Sequence, residues 1–115
     1  MRHPRGATKL RVMYGTEIAI GPGKAELLEA IAATGSISAS AKQLGMSYRR
    51  AWLLVDTMNR CFREPVVASA TGGTGGGGAQ VTAFGHRVLA SFAAMRSRVD
   101  RALDPELTRF SKLLK

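Results

Sequence analysis

Residues 35–52 read GSISASAKQLGMSYRRAW. No other stretch limits the possible folds of this chain so strongly. Gly35 and Gly45 bracket a run with room for only about two helical turns. Ser36 or Ser38 can cap that run, and glycine supplies the left-handed stop at its end. Ser47 can cap a second helix that opens with Tyr48-Arg49-Arg50-Ala51-Trp52. Two helices separated by Gly45-Met46-Ser47 must lie against each other. Ala39, Ala41 and Ala51 are small enough to let them approach, and Leu44 and Leu54 add apolar surface.

The flanking segments supply the rest of a domain. Residues 9–20, KLRVMYGTEIAI, predict two short strands joined at Gly15-Thr16. A helix is expected over 22–34, with Pro22 at its first position and Leu27, Leu28, Ile31 and Ala32 at helical spacing. The helix that opens at Tyr48 is expected to run to about Arg63, where Glu64-Pro65 ends it. Ala51, Leu54, Val55, Met58 and Phe62 form its apolar stripe. PVVASA and AQVT then predict a hairpin around the glycine-rich TGGTGGGG. A long helix follows over 82–103, with Thr82 as cap. Asp104-Pro105-Glu106 predicts a fresh start, so 104–115 is expected as a separate short helix, with Leu107, Phe110, Leu113 and Leu114 on its apolar face. The order helix, helix, turn, helix, hairpin is that of a winged helix-turn-helix. The fold class is mainly α with small β-hairpins, in one domain over 9–103 behind a basic arm, residues 1–8.

Composition selects the partner. Seventeen Lys and Arg against eight Asp and Glu give a formal net charge of +9, and the sequence pI is near 10.9. A small domain so basic is biased toward polyanions. No apolar run is long enough to span a bilayer and no secretory leader is evident, so a cytoplasmic protein is expected. Cys61 is the lone cysteine, so no intrachain disulfide can form. His3, His86 and Cys61 make no zinc spacing. GGTGGGG lacks the Lys-Ser/Thr ending of a phosphate-cradling loop, because Ala79-Gln80-Val81 follows. No nucleophile-base-acid pattern or carboxylate pair stands out. The expectation is a non-enzyme without cofactor or metal.

With the apolar stripe turned inward, Ser47, Tyr48, Arg49, Arg50 and Leu53 fall at or near the open side of the helix that starts at Tyr48. In a helix-turn-helix the second helix enters the major groove N-terminal end first. Arg can hydrogen-bond guanine O6 and N7 or bind phosphate. Trp52 is expected at the edge of the helix interface, and Arg87, Arg96, Arg98 and Arg101 are expected to be solvated. The stripe Phe84, Val88, Phe92, Met95 and Val99 is expected first as core. Its three-four spacing also fits a two-helix seam.

LGMSYRRAWLLVDTMN, followed by EPVV and TGGTGGGGAQVTAFG, resembles the N-terminal domain of the ModE family, molybdate-responsive bacterial transcription regulators with a LysR-like winged helix-turn-helix. GPGKAELLEAIAATGSISASAKQLG extends the resemblance to about residues 9–103. It implies a homodimer paired through the long C-terminal helix at Phe84, Val88, Phe92, Met95 and Val99. It also implies recognition helices in successive major grooves of double-stranded DNA. By position, Ser47, Tyr48, Arg49 and Arg50 match the start of the recognition helix, with Leu53 beside them. Thr71 to Gly78 match the wing, so Thr71, Gly72, Gly73, Thr74 and Gly75 are its expected DNA contacts. Family wings often carry Arg or Lys among the glycines. This one does not, so weak wing attachment through backbone N–H and threonine hydroxyl groups is expected. The family's molybdate-binding domains follow the DNA-binding part, and no direct molybdate binding is expected in this chain. Two other functions fit the same residues: a module that heterodimerises with a full-length relative, and a non-specific nucleoid or RNA-binding protein.

Overall fold

The computed structural model describes residues 9–70 and 78–115. Strands β1 (Val12–Tyr14) and β2 (Glu17–Ile20) pair antiparallel, with Tyr14 opposite Glu17. The two-residue loop between them needs glycine first, and Gly15 has φ of 62°. Helix α1 (Pro22–Thr34) begins on Pro22 and ends on Gly35, whose φ is 69° and whose N–H donates to the Ile31 carbonyl at 2.8 Å.

Helix α2 (Ile37–Gln43) is capped by Ser36, whose hydroxyl accepts from the Ala39 N–H at 3.0 Å. Ser40 is fully buried beneath it, yet its hydroxyl donates to the Ser36 carbonyl at 2.7 Å and lies 2.8 Å from the Thr34 hydroxyl. The turn after α2 closes with the Met46 N–H on the Ala41 carbonyl (2.9 Å) and the Gly45 N–H on the Lys42 carbonyl (3.2 Å). That bond pair is the Schellman stop, and it sets Gly45 at φ of 69°. Helix α3 (Tyr48–Cys61) starts at once, with the Ser47 hydroxyl accepting from the Arg50 N–H at 3.1 Å.

Strands β3 (Val67–Ala70) and β4 (Gly78–Val81) form the second antiparallel hairpin, in register from Val67 opposite Val81 to Ala70 opposite Gly78. Helix α4 (Ala83–Phe110) is capped by Thr82, which accepts from the Gly85 N–H at 2.9 Å and donates to the Pro65 carbonyl at 2.7 Å. A short 3-10 turn, Ser111–Leu113, follows it.

The core is built around α1, which packs on α2, α3, α4 and β4. Leu27, Leu28 and Ile31 are fully buried there, with Ala51 and Met58 of α3 and with Val66. Burying each Leu or Ile contributes roughly 1.5–3 kcal/mol. Phe92 of α4, Val81 of β4 and Ile20 of β2 close the cluster. The result is mainly helical with two small hairpins, an arrangement compatible with a winged helix.

Two boundaries differ from expectation. Helix α3 stops at Cys61 rather than near Arg63, because Phe62 is already extended, at ψ of 154°. That turn brings the Phe62 ring edge-on to Phe84, with centroids 6.3 Å apart. The expected break at Asp104-Pro105 is absent, and α4 runs unbroken through Pro105 to Phe110. Proline there removes one N–H and frees one carbonyl. The freed carbonyl is that of Arg101, on an exposed stretch of the helix that solvent can reach, so it is not left buried without a partner.

Candidate nucleic-acid interface

The front of α3 is organised by its helical phase. Ala51, Val55 and Met58 are buried and define the inward side. At 100° per residue, Arg49 and Leu53 then fall on the opposite, outward side. Arg50 and Leu54 lie along one flank, and Tyr48, Trp52 and Asn59 along the other. Every expected contact of this helix is exposed: Ser47, Tyr48, Arg49, Arg50 and Leu53. Tyr48, Trp52 and Leu53 keep 55%, 47% and 46% of their surface in solvent, a dense group of large apolar side chains at one helix start. Apolar groups held in water at that density mark a contact surface.

The electrostatics point the same way. Among the described residues, neither Arg49 nor Arg50 has a carboxylate within ion-pair distance. By contrast, Arg60 at the far end of α3 is engaged by Asp56 at 3.1 Å and Glu17 at 3.9 Å. The uncommitted cations are therefore at the N-terminal end of the helix, where Ser47 caps the backbone and its hydroxyl proton remains available.

Trp52, expected at the edge of the helix interface, keeps about half of its surface in solvent. With Tyr48 and Asn59 it walls a hollow of about 480 Å³ between α3, the start of α2 at Ser36–Ser38, and the base of the β3–β4 hairpin at Val67–Ser69. Trp52 therefore belongs to the exposed face. Asn59 was not singled out by sequence reasoning, yet it fixes the hairpin to α3. Its Oδ1 accepts from the N–H groups of Val66 (2.8 Å) and Val67 (3.3 Å), and its Nδ2 donates to the Val67 carbonyl at 3.1 Å. A lone asparagine on the helix flank gave no local signal of this tertiary bond set. The expected wing contacts Thr71, Gly72, Gly73, Thr74 and Gly75 lie outside the described residues. Gly78, the last residue of the expected wing, opens β4.

The α4 stripe divides. Phe92 is 1% exposed and belongs to the chain's own core, which removes it from the expected seam. Phe84 and Val88 are half-buried against that core. The guanidinium groups of Arg63 and Arg87 stand 5.7 and 5.9 Å from the Phe84 ring centroid. Met95 is exposed and Val99 half-buried, and the apolar line continues through Leu103 and Leu107 to exposed Phe110 and Leu114. Cys61 is half-buried at the end of α3, and His86 is exposed in the first turn of α4. Among the described residues, no helix is long and apolar enough to cross a membrane.

A short capped helix, a glycine turn, an exposed basic helix and a hairpin tied to its flank define a protein of the kind compatible with a winged helix. No protein-family model matches the chain. It is 42% identical over 96 residues to the molybdenum transport protein ModE of Azotobacter vinelandii, covering 82% of this chain and 36% of that protein. It is 41% identical over 92 residues to the molybdenum-pterin-binding protein MopB of Rhodobacter capsulatus, covering 80% of this chain and 34% of that protein. It is 40% identical over 83 residues to the DNA-binding transcriptional dual regulator ModE of Escherichia coli, covering 72% and 32%. The chain thus spans about a third of the length of these relatives, in their N-terminal part. Through that N-terminal segment it belongs to the ModE family.

Proposed function

We propose that this chain is a DNA-binding transcriptional regulator of the ModE type. It is a winged helix-turn-helix in which α2 and α3 form the motif, and it binds operator DNA as a homodimer. The observation that carries the proposal is the front of α3, where Arg49 and Arg50 are unpaired among the described residues, Arg49 and Leu53 point outward, and Arg50 and Tyr48 stand exposed on the two flanks beside them. One relative named a DNA-binding transcriptional dual regulator and another named a transcriptional regulator support it. In this proposal α3 enters the major groove, Ser47 and Tyr48 meet phosphate or base edges near its start, and Thr71, Gly72, Gly73, Thr74 and Gly75 make the wing contact. The outer edge of α4 pairs the subunits. DNA is the ligand, and no molybdate seat or catalytic step is assigned to these residues.

Selection of bound duplexes from a fragmented genomic library at about 150 mM salt tests this. Enrichment of an inverted repeat, with half-sites about one helical turn apart, is expected. Binding without enrichment would replace the regulator by a non-specific nucleic-acid binder. Absence of binding would leave pairing with a full-length relative as the function of α4.

A further inference from the structure

On the flank of α3 away from the β3–β4 hairpin, Arg50 and Leu54 border a second hollow of about 310 Å³. Its other walls include Lys9, Arg11 and the start of α1 at Lys24, and among the described residues no carboxylate lines it. Four cations from three separate parts of the chain thus converge on one place. Lys24 is half-buried, and burial holds its ammonium below the ordinary lysine pKa. Cys61 and Glu17 oppose that shift, while Arg11 and Arg50 add to it. Glu17, the nearby acid, is turned toward Arg60 at 3.9 Å. Converging like charges cost free energy that an external anion would offset. The hollow is also continuous with the exposed front of α3 through Arg50.

We propose that this hollow seats a backbone phosphate of bound duplex DNA, with Lys24, Arg11 and Lys9 neutralising it and Arg50 reaching it from α3. The inference rests on α3 being the helix that meets DNA. It divides two adjacent arginines by role: Arg50 positions the helix on the backbone, while Arg49, on the outward side, reads a base. Phosphate contacts carry register without sequence information, and base contacts carry the sequence.

The test measures affinity of the full chain for its selected operator and for a shuffled duplex, from about 50 to 200 mM salt. Lys24→Gln, Arg11→Gln and Arg50→Gln are each expected to reduce the slope of log affinity against log salt by about 0.9 per lost contact. The affinity lost across that salt range then shrinks about 3.5-fold per contact. Both duplexes weaken together, so their ratio holds, and Lys24→Arg restores the slope. Arg49→Gln is expected to lower the operator-to-shuffled ratio about 5- to 150-fold, the span of one paired base contact. Lys24→Gln removes a half-buried charge that lies among other cations, so its unfolding midpoint is expected not to fall, which separates lost binding from lost fold. Unchanged slopes in Lys24→Gln and Arg11→Gln, with operator binding intact, would overturn the phosphate seat. So would a hollow that low-millimolar inorganic phosphate saturates while the substitutions leave DNA binding untouched. If the wild-type chain binds neither duplex, the DNA function itself fails, and that failure is visible before any variant is made.

Discussion

Two glycines show how a single residue's effect depends on what surrounds it. Gly85 lies in the first turn of α4, directly over the Val66 carbonyl, which accepts from the Thr82 N–H at 3.0 Å. A methyl group at Gly85 would overlap that carbonyl oxygen and crowd the Val81 side chain. Backbone cannot rotate away as a side chain can, so Gly85→Ala should destabilise by about 1–3 kcal/mol despite alanine's better helix propensity. Gly23, in the first turn of α1, has nothing among the described residues within 4 Å of the same methyl position. Gly23→Ala should stabilise by about 0.4–1 kcal/mol, since the unfolded chain loses freedom. Denaturant midpoints at constant m-value read both. Equal shifts would show that contact with Val66 does not control the position. Lys24 adds a pH term of known sign. Its folded pKa lies below its unfolded one, so the unfolded chain binds more protons between them. Stability contributed by this group therefore rises with pH through that alkaline window.

At the scale of elements, the ends of helices are where structure and function meet. Ser47 holds the first turn of α3 through the Arg50 N–H, the same turn that carries the exposed cations. Ser47→Ala should cost about 1 kcal/mol of stability. Ser47→Asp keeps a capping oxygen and favours the helix start, yet places a carboxylate against phosphate. Stability should hold in Ser47→Asp while DNA affinity falls, as fluorescence anisotropy beside chemical denaturation would report. Retained affinity would place the start of α3 away from the backbone. Such ends were legible in the sequence because their bonds are local. Ser36, Ser47 and Thr82 each cap a residue three positions on, and Gly35 and Gly45 each close a stop within a few residues. The exposed set at Ser47–Arg50 and Leu53 followed from the same phase. What escaped was tertiary or set by solvent. Asn59 bonds residues seven and eight positions ahead through a reversal of the chain. Pro105 reads as a boundary until the exposure of its freed carbonyl is known. Lys9, Arg11, Lys24 and Arg50 meet only after β2, α1 and α3 have packed.

For the whole molecule, the proposed use of the α3 face depends on α4. At 1.5 Å per residue its 28 residues extend about 42 Å. Gly85 and Phe92 are its buried residues, so the domain holds only its first half. Beyond Phe92, the apolar edge Met95, Val99, Leu103, Leu107 and Phe110 continues with solvent around it. Phase is kept across Pro105, which a separate terminal helix would not require. An edge of this length suits an antiparallel or parallel helix pair, and pairing would link two α3 faces. Leu103→Asp with Leu107→Asp should yield monomers by sedimentation equilibrium, with an unchanged unfolding midpoint when the monomers are compared at high dilution. Linked half-sites gain about 10²–10⁴-fold from effective concentration. The variant should lose that factor on the inverted repeat and keep its affinity for one half-site. A variant that remains dimeric would move the seam to Phe84 and Val88, where the Val12, Phe62 and Met95 side chains border an apolar groove. A monomeric wild-type chain would assign all sequence selectivity to a single α3, and the operator would then need no inverted repeat.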